Sequence, residues 1–299
     1  MKMLISFSGG KDSQATINFV LADTKYKGLK KELVFCDTGW EHEVTYSHIK
    51  NIADQVKLPL ITLKSKKYNG FLDMVIKKTR FPSRTQQFCT TELKITPMID
   101  YILSHKEHLI IVQGIRSDES AERKEMDKEC NYFKFYFEPY GYTKKGKPKK
   151  FTYRGRDVRK WCKEYQADTI RPIITWTSEE VVQLIIQSGQ KLNPLYYAGM
   201  KRVGCFPCIN CSTTEIISGM KYDEKFAEKL ISAEKTVGRT FFAPGRIPDR
   251  FCSREDKNGK KFPTAEDVFK YIRDKKNMDN EVLFDEPIGK CVSHYKICE

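Results

Sequence analysis

The chain has 299 residues, 53 Lys plus Arg against 39 Asp plus Glu, a net charge of +14 and ten cysteines. That length holds one large domain or two smaller ones with an ample core, and no run of about 18 apolar residues is present, which argues against a helical membrane span. The cationic excess suits polyanionic partners, either nucleic acid or multiply phosphorylated nucleotides, unless it is only a lysine-rich solvated surface.

The N-terminus begins on a strand pattern with no signal-peptide h-region, so a cytoplasmic, soluble protein without a membrane partner is expected. In a reducing compartment the cysteines point to metal or redox chemistry over disulfides. Met3-Leu4-Ile5 and Phe7 read as a buried strand, Ser8-Gly9-Gly10 as a turn, and Ala15, Ile17, Phe19, Val20 and Leu21 as one face of a helix. A strand that breaks at glycines into a helix start turns free N–H groups towards one spot, which attracts phosphate. Lys11 adds a mobile positive charge there, and Ser8 and Ser13 add hydroxyls. The lysine directly after the glycines departs from the Walker pattern.

Glu32 to Asp37 reads as a second strand ending in Asp37-Thr38-Gly39-Trp40-Glu41. In open α/β sheets ligands lie beyond the carboxyl ends of strands, so both loops are expected to line one crevice. Asp37 then meets a ribose, an adenine edge or magnesium; the residues leave that choice open. A helix over Glu43–Val56, strands over Leu58–Leu63 and Leu109–Gln113 and a helix over Trp176–Gly189, capped by Thr177 or Ser178, complete an alternation that implies right-handed βαβ units. The expected fold is α/β: a Rossmann-like, doubly wound, mostly parallel sheet over residues 1–190, followed by a helical, cysteine-bearing extension over 191–299.

Within residues 80–97, RFPSRTQQFCTTELKITP, the cations Arg80, Arg84 and Lys94 cluster around Cys89. Thr90 or Thr91 caps a helix running to about Leu103, with Pro97 in its first turns. A thiol among three cations near a helix start leans towards thiolate; the alternative is a buried structural cysteine. Arg116 and Arg123 are seven apart, which on a helix puts them on one face, ready to grip phosphate or to pair with Glu119 or Glu122. Residues 132–155 read as a long aromatic-flanked hairpin with a Lys144–Lys150 tip, suited to nucleic acid or merely solvated.

Downstream, Cys205 and Cys208 form CxxC, extended by Cys211, and Cys291 and Cys298 lie near the end. Two such pairs can close a four-thiolate site for zinc or an iron–sulfur cluster; ordinary buried thiols or a redox CxxC are the alternatives, and His294 is a weaker ligand candidate. Tyr222–Val237 and Thr264–Lys275 read as helices, and Phe241–Cys252 as a loop.

The blocks SGGKDS, FCDTGWEHEVT, FCTTELKITP, GIRSDESAER and RPIITWTSEEV, in that order over residues 1 to about 210, resemble the phosphoadenosine-phosphosulfate (PAPS) reductase family. The first block is similar to the loop of the adenine nucleotide alpha-hydrolase superfamily, the PP-loop ATP pyrophosphatases, whose members cut ATP between the α and β phosphates. The resemblance implies that Ser8, Gly9, Gly10, Lys11, Asp12 and Ser13 hold phosphates, that Asp37, Thr38 and Gly39 flank the nucleoside, and that Arg116, Ser120 and Arg123 sit at the pocket rim. Lys94 then lies near the phosphates, and Lys11, Asp12, Lys94, Arg116 and Cys89 form the catalytic set. It also favours Cys205, Cys208, Cys291 and Cys298 as the metal ligands, with Cys211 as substitute. The implied cofactors are ATP or PAPS, Mg2+, and zinc or a [4Fe-4S] cluster.

The implied activity is adenylation with release of pyrophosphate, in sulfur transfer or in DNA or tRNA modification, with a sulfur-donor protein as a further partner. The alternatives are a PAPS reductase and a binder of nucleotide or nucleic acid without turnover. Against the reductase, the chain lacks a terminal ECGLH-type motif, ending Lys296-Ile297-Cys298-Glu299, and lacks an adjacent Cys-Cys pair. Against the pure binder stands the intact SGGKDS.

Overall fold

The computed structural model describes residues 1–280. Its strands are β1 (Lys2–Ser6), β2 (Lys30–Cys36), β3 (Leu60–Leu63), β4 (Leu109–Val112), β5 (Glu129–Asn131), β6 (Gly141–Tyr142), β7 (Pro148–Lys149) and β8 (Ala167–Ile170), with two short ones beyond. Six of them form one sheet in the order β3-β2-β1-β4-β8-β5. All neighbours run parallel except β5, which pairs antiparallel with β8 at the edge. This is the doubly wound, mostly parallel sheet that the strand–helix alternation implies. The strand order reverses between β1 and β4, the switch point where such sheets open a crevice. β1 is apolar through its middle, as a strand covered on both faces must be.

Helices α1 (Lys11–Ala22) and α2 (Glu43–Val56) cover one face, where Ile17, Val20, Ile49 and Ile52 bury against Met3, Ile5 and Leu33. Leu21, expected on the buried face of α1, is 42% exposed at the helix end. On the other face, Met98, Ile99, Phe133, Val158 and Trp161 pack beneath Leu4, Val34 and Ile111. β5, β8 and helix α3 (Gly70–Lys77) carry no expectation from sequence.

Three expectations change. The run before β4 starts at Phe88 with Gln87 as an unbonded cap, so neither Thr90 nor Thr91 caps it. It passes through a π-helical turn, Thr91–Ile95, into Thr96–Leu103. The wide turn admits Pro97, which has no N–H to donate, while Thr96 Oγ1 donates to Glu92 O at 3.0 Å. The long hairpin over 132–155 shrinks to the β6–β7 pair, because Phe133 and Tyr136, 0% and 3% exposed, turn under the sheet through a helical turn at Lys134–Phe137. The helix expected over Tyr222–Val237 starts only at Phe226, because a separate helix, Thr213–Tyr222, ends just before it.

Among the described residues beyond 190, the apolar side chains pack into a core shared with the first part of the chain. Phe206, Phe226, Leu230 and Phe269 share one apolar cluster with Trp40, Tyr68, Phe71 and Leu93. Among the described residues no helix is long and apolar enough to cross a membrane.

Candidate functional site

The corner after β1 is shaped by contacts that only glycine permits. Gly9 has φ +76, and a Cβ on it would lie 2.9 Å from Thr45 Cγ2 and 3.0 Å from Ile49 Cγ1. Across the switch point, a Cβ on Gly114 would lie 2.6 Å from Ser13 Cα. The first turn of α1 and the loop after β4 therefore touch backbone to backbone. Ser13 Oγ donates to Gly10 O at 2.9 Å and accepts from Ser8 N at 3.3 Å, which stiffens the turn. Two residues that sequence reasoning missed brace it from behind. Asn193 Nδ2 donates to Gly9 O and to Thr45 Oγ1, both at 3.3 Å, and Tyr196 OH accepts from Lys11 N at 3.0 Å. Asn193-Pro194 is a helix-start signal, which was legible; its role against the loop was not.

Lys11 is not the mobile charge expected of it. Its side chain is 2% exposed and its ammonium lies 2.9 Å from the Asp12 carboxylate. Asp12 also accepts from Arg116 Nε at 2.5 Å, and Arg116 donates to Asp118 at 2.6 Å and to Trp176 O at 3.3 Å. Burial lowers the Lys11 pKa against the pull of Asp12. Burial works against the Arg116 charge too, but Asp12 and Asp118 outweigh it and raise its pKa. The network forms a fixed floor under the loop amides.

Arg116 and Arg123 do not share a helix. Arg116 ends an extended segment before a single 3-10 turn, and Arg123 lies in the short helix Ala121–Lys124, whose first N–H groups are capped by Ser120. Ser120, extended at φ −164 and ψ 159, separates the two turns. Arg123 pairs with Glu119 and lines the cavity, and burial lowers its pKa, helped by the nearby Arg202.

A cavity of about 810 Å³ opens beyond the strand ends. Ser8, Gly10, Asp12 and Ser13 form one wall, with Gly114 and Ser120 beside them. Arg84, Lys94, Arg123 and Arg202 bring cations, and Cys205 and Cys208 form a second wall. Asp37, Thr38 and Gly39 are not on it. They close a turn in which Asp37 accepts from Tyr46 OH at 2.7 Å and Gly39 N at 2.8 Å, while Thr38 Oγ1 donates to Glu41 at 2.6 Å. Glu41, also missed, is 8% exposed and accepts from Thr38 N and Trp40 N as well, both at 3.2 Å.

That turn holds the cysteine loop. Phe206 N donates to Trp40 O at 2.8 Å, and Trp40 Nε1 donates to Pro207 O at 3.1 Å. Lys229 covers the Trp40 ring at 4.1 Å and donates to Phe206 O at 2.8 Å. Cys205 thus sits opposite Glu41 in an isolated β-bridge. Burial pushes the Cys205 thiol up to about 11, against the opposing charge of Lys94. The Cys205 sulfur in turn holds the Lys94 pKa up, with Glu41 adding to it.

Cys89 corrects its expectation. Burial raises its pKa and outweighs Lys94, and the side chain packs against the core beside the cavity. The three cations separate: Arg84 and Lys94 line the cavity, while Arg80 lies 5.3 Å from the Phe88 ring. Cys211 is 5% exposed and pushed up to about 12 by burial. Cys291, Cys298 and His294 lie outside the described residues. Among the described residues no group of three or more His, Cys, Asp or Glu side chains is placed to hold a metal.

Comparison with known proteins finds distant relatives. An uncharacterised 37.8 kDa protein of Escherichia phage 186 is 27% identical over 81% of this chain and 78% of its own. An uncharacterised protein of Methanocaldococcus jannaschii is 26% identical over 78% of this chain, which spans only 47% of that relative. Among solved structures, phosphoadenylyl-sulfate (PAPS) reductase from Candida auris superposes with a TM-score of 0.44 at 15% identity, over 70% of this chain and 83% of that one. The U34-tRNA thiolase from Methanococcus maripaludis, solved with its [4Fe-4S] cluster, gives a TM-score of 0.40 at 17% identity over 100% and 79%. These superpositions are too loose to transfer any detail. The model of the phosphoadenosine phosphosulfate reductase domain matches residues 2–211, well over half of the sequence, and the chain belongs to that family.

Proposed function

We propose that this protein is a PP-loop enzyme that binds an adenine nucleotide in the cavity and acts at its α phosphate, as an ATP pyrophosphatase that adenylates a substrate for sulfur transfer or nucleic-acid modification. One observation carries the reading: the loop after β1 and the side chains of Arg84, Lys94, Arg123 and Arg202 meet on one cavity at the switch point. Backbone amides fixed by the Gly9 and Gly114 contacts would cradle the polyphosphate. A substrate oxygen would attack the α phosphorus while the bond to the β phosphate breaks and pyrophosphate leaves. Lys94 and the arginines would stabilise charge on the transferring group; Lys11, Asp12 and Arg116 would hold the loop in register beneath it. A sulfur nucleophile from a donor protein would then displace AMP.

Magnesium is expected with ATP. The nearest carboxylates, Asp12 and Asp118, are engaged by Arg116, so they do not by themselves offer a cation site. Cys205 and Cys208 supply two thiols, short of a zinc or cluster site on their own. No step is assigned to either group.

Reduction of PAPS is the second reading, favoured by the thiols on the cavity wall. Its weakness is that Cys205, pushed up to about 11, is protonated near neutral pH and is a poor nucleophile there. The test incubates the protein with ATP and Mg2+, and separately with PAPS and a thiol reductant. Pyrophosphate release, with kcat/KM lowered about a hundredfold or more in Lys94→Met, is the expected result. Sulfite release would replace it with the reductase reading. Tight nucleotide binding with neither product would leave a non-catalytic binder.

A further inference from the structure

Between β5 and β8 the chain leaves the sheet and builds a projecting ribbon. β6 and β7 pair only with each other, Gly141 opposite Lys149 and Tyr142 opposite Pro148. Gly146, at φ +71, closes the tip, where Thr143 N donates to Lys147 O at 2.8 Å. Every residue from 142 to 150 is exposed. Lys144, Lys145, Lys147 and Lys149 make no ion pair among the described residues. Nearby carboxylates are already engaged: Glu138 faces Lys134, and Asp100 and Asp157 hold Arg154.

Beside these cations lie rings that folding leaves uncovered. Tyr142 is 65% exposed, more than any other large apolar side chain among the described residues, and Tyr140 is 50% exposed. Strand alternation puts Tyr140 and Tyr142 on one face of the ribbon. Tyr140 stacks on Phe151 at 5.2 Å and meets the edge of Phe135 at 6.0 Å. Tyr140 is therefore a propped platform, with the open Tyr142 ring and then the lysine tip beyond it.

We infer that this ribbon is a docking surface for a single-stranded nucleic acid, with bases stacked on Tyr140 and Tyr142 and phosphates against the lysine tip. It extends the nucleic-acid half of the proposed function and rests on that reading only for its biological purpose. Flat rings need open base faces, which a duplex hides. The tip residues Thr143-Lys144-Lys145-Gly146-Lys147 carry no apolar side chain to sink into a bilayer.

The experiment measures fluorescence anisotropy of a labelled oligo(dT), an oligo(U) and a duplex of equal length with the full chain, without ATP, across a salt series. Its failure would therefore leave the nucleotide chemistry untouched. The single strands should bind tighter than the duplex, and a preference for dT or U identifies DNA or RNA as the source. Changing Lys144, Lys145, Lys147 and Lys149 together to Gln should weaken binding at least about tenfold and flatten the salt slope by about 2 to 3. Tyr142→Ala should weaken it about tenfold with the salt slope unchanged. Both variants alter exposed side chains, and an unchanged thermal midpoint confirms folding. The inference is overturned if both variants bind like the unaltered chain, or if Gln at the exposed Lys25, Lys27, Lys30 and Lys57 costs as much. It is equally overturned if the duplex binds as well as the strands, or if only anionic phospholipid vesicles bind.

Discussion

The two walls of the cavity are built on different terms. On the phosphate-loop wall every charge has a counter-charge within hydrogen-bond distance: Lys11 on Asp12, Asp12 on Arg116, Arg116 on Asp118. On the cysteine wall the cation Lys94 faces thiols, and Glu41, buried behind it, is taken up by backbone N–H groups and hydroxyls. The first wall is held by charges paired with one another. The second depends on whether sulfur carries a proton. A site so divided can bind on one side and be chemically tuned on the other.

The sharpest way to break the comparison is steric. Gly114→Ala drives a Cβ to 2.6 Å from Ser13 Cα, backbone against backbone. It should cost about 3 kcal/mol or more in urea unfolding and abolish nucleotide binding by calorimetry. Gly28→Ala, with nothing within 4 Å of its Cβ, is the neutral control. Next in size is Asp12→Ala, which removes the carboxylate that Lys11 and Arg116 share. A loss of about 3 kcal/mol is expected, and a variant as stable as the parent would show that the network is not what fixes this wall.

The cysteine wall should instead answer to pH. Cys36 and Cys205 are raised from 9.0 to about 11, and Cys211 to about 12, so the folded state holds these protons longer than the unfolded chain. Their stabilisation is complete below pH 9.0 and is lost as pH rises through about 11 to 12. Thermal midpoints between pH 8 and 12 should fall along that course, and Cys205→Ala should flatten it. On the acid side His48, buried against Gln14 and lowered from 6.5 to about 4, should withdraw stability as pH drops from 6.5 towards 4. The smallest effect belongs to Tyr196→Phe, which removes the acceptor of Lys11 N. About 1 kcal/mol and a few-fold rise in nucleotide KM are expected.

Much of the architecture was legible because it rests on local signals. The glycine pair after an apolar strand, the Glu43–Val56 stripe and the capping box at Thr177 and Glu180 each carry their conformation within a few residues. β5 and β8 were missed because three- and four-residue strands hold too few side chains to show a period. The site was half legible. Which residue types surround phosphate could be read, but not that Lys11 turns inward, since that depends on Arg116 arriving from across the sheet. Nor could Cys89 show that burial outweighs its cations, because desolvation is a property of packing and not of neighbours in the chain. Tyr196 and Glu41 carry no motif at all and Asn193 shows only a helix start; the folded chain alone brings them to the loops they brace.

The widened turn at Thr91–Ile95 carries one residue more than a regular helix would use over the same length. Each residue added to or taken from an α-helix swings everything beyond it by about 100°. Excising one residue there would straighten the spiral but leave Pro97 lodged mid-helix and turn Lys94 away from the sulfurs it faces. Along this stretch the number of residues, more than their identity, aims the cation.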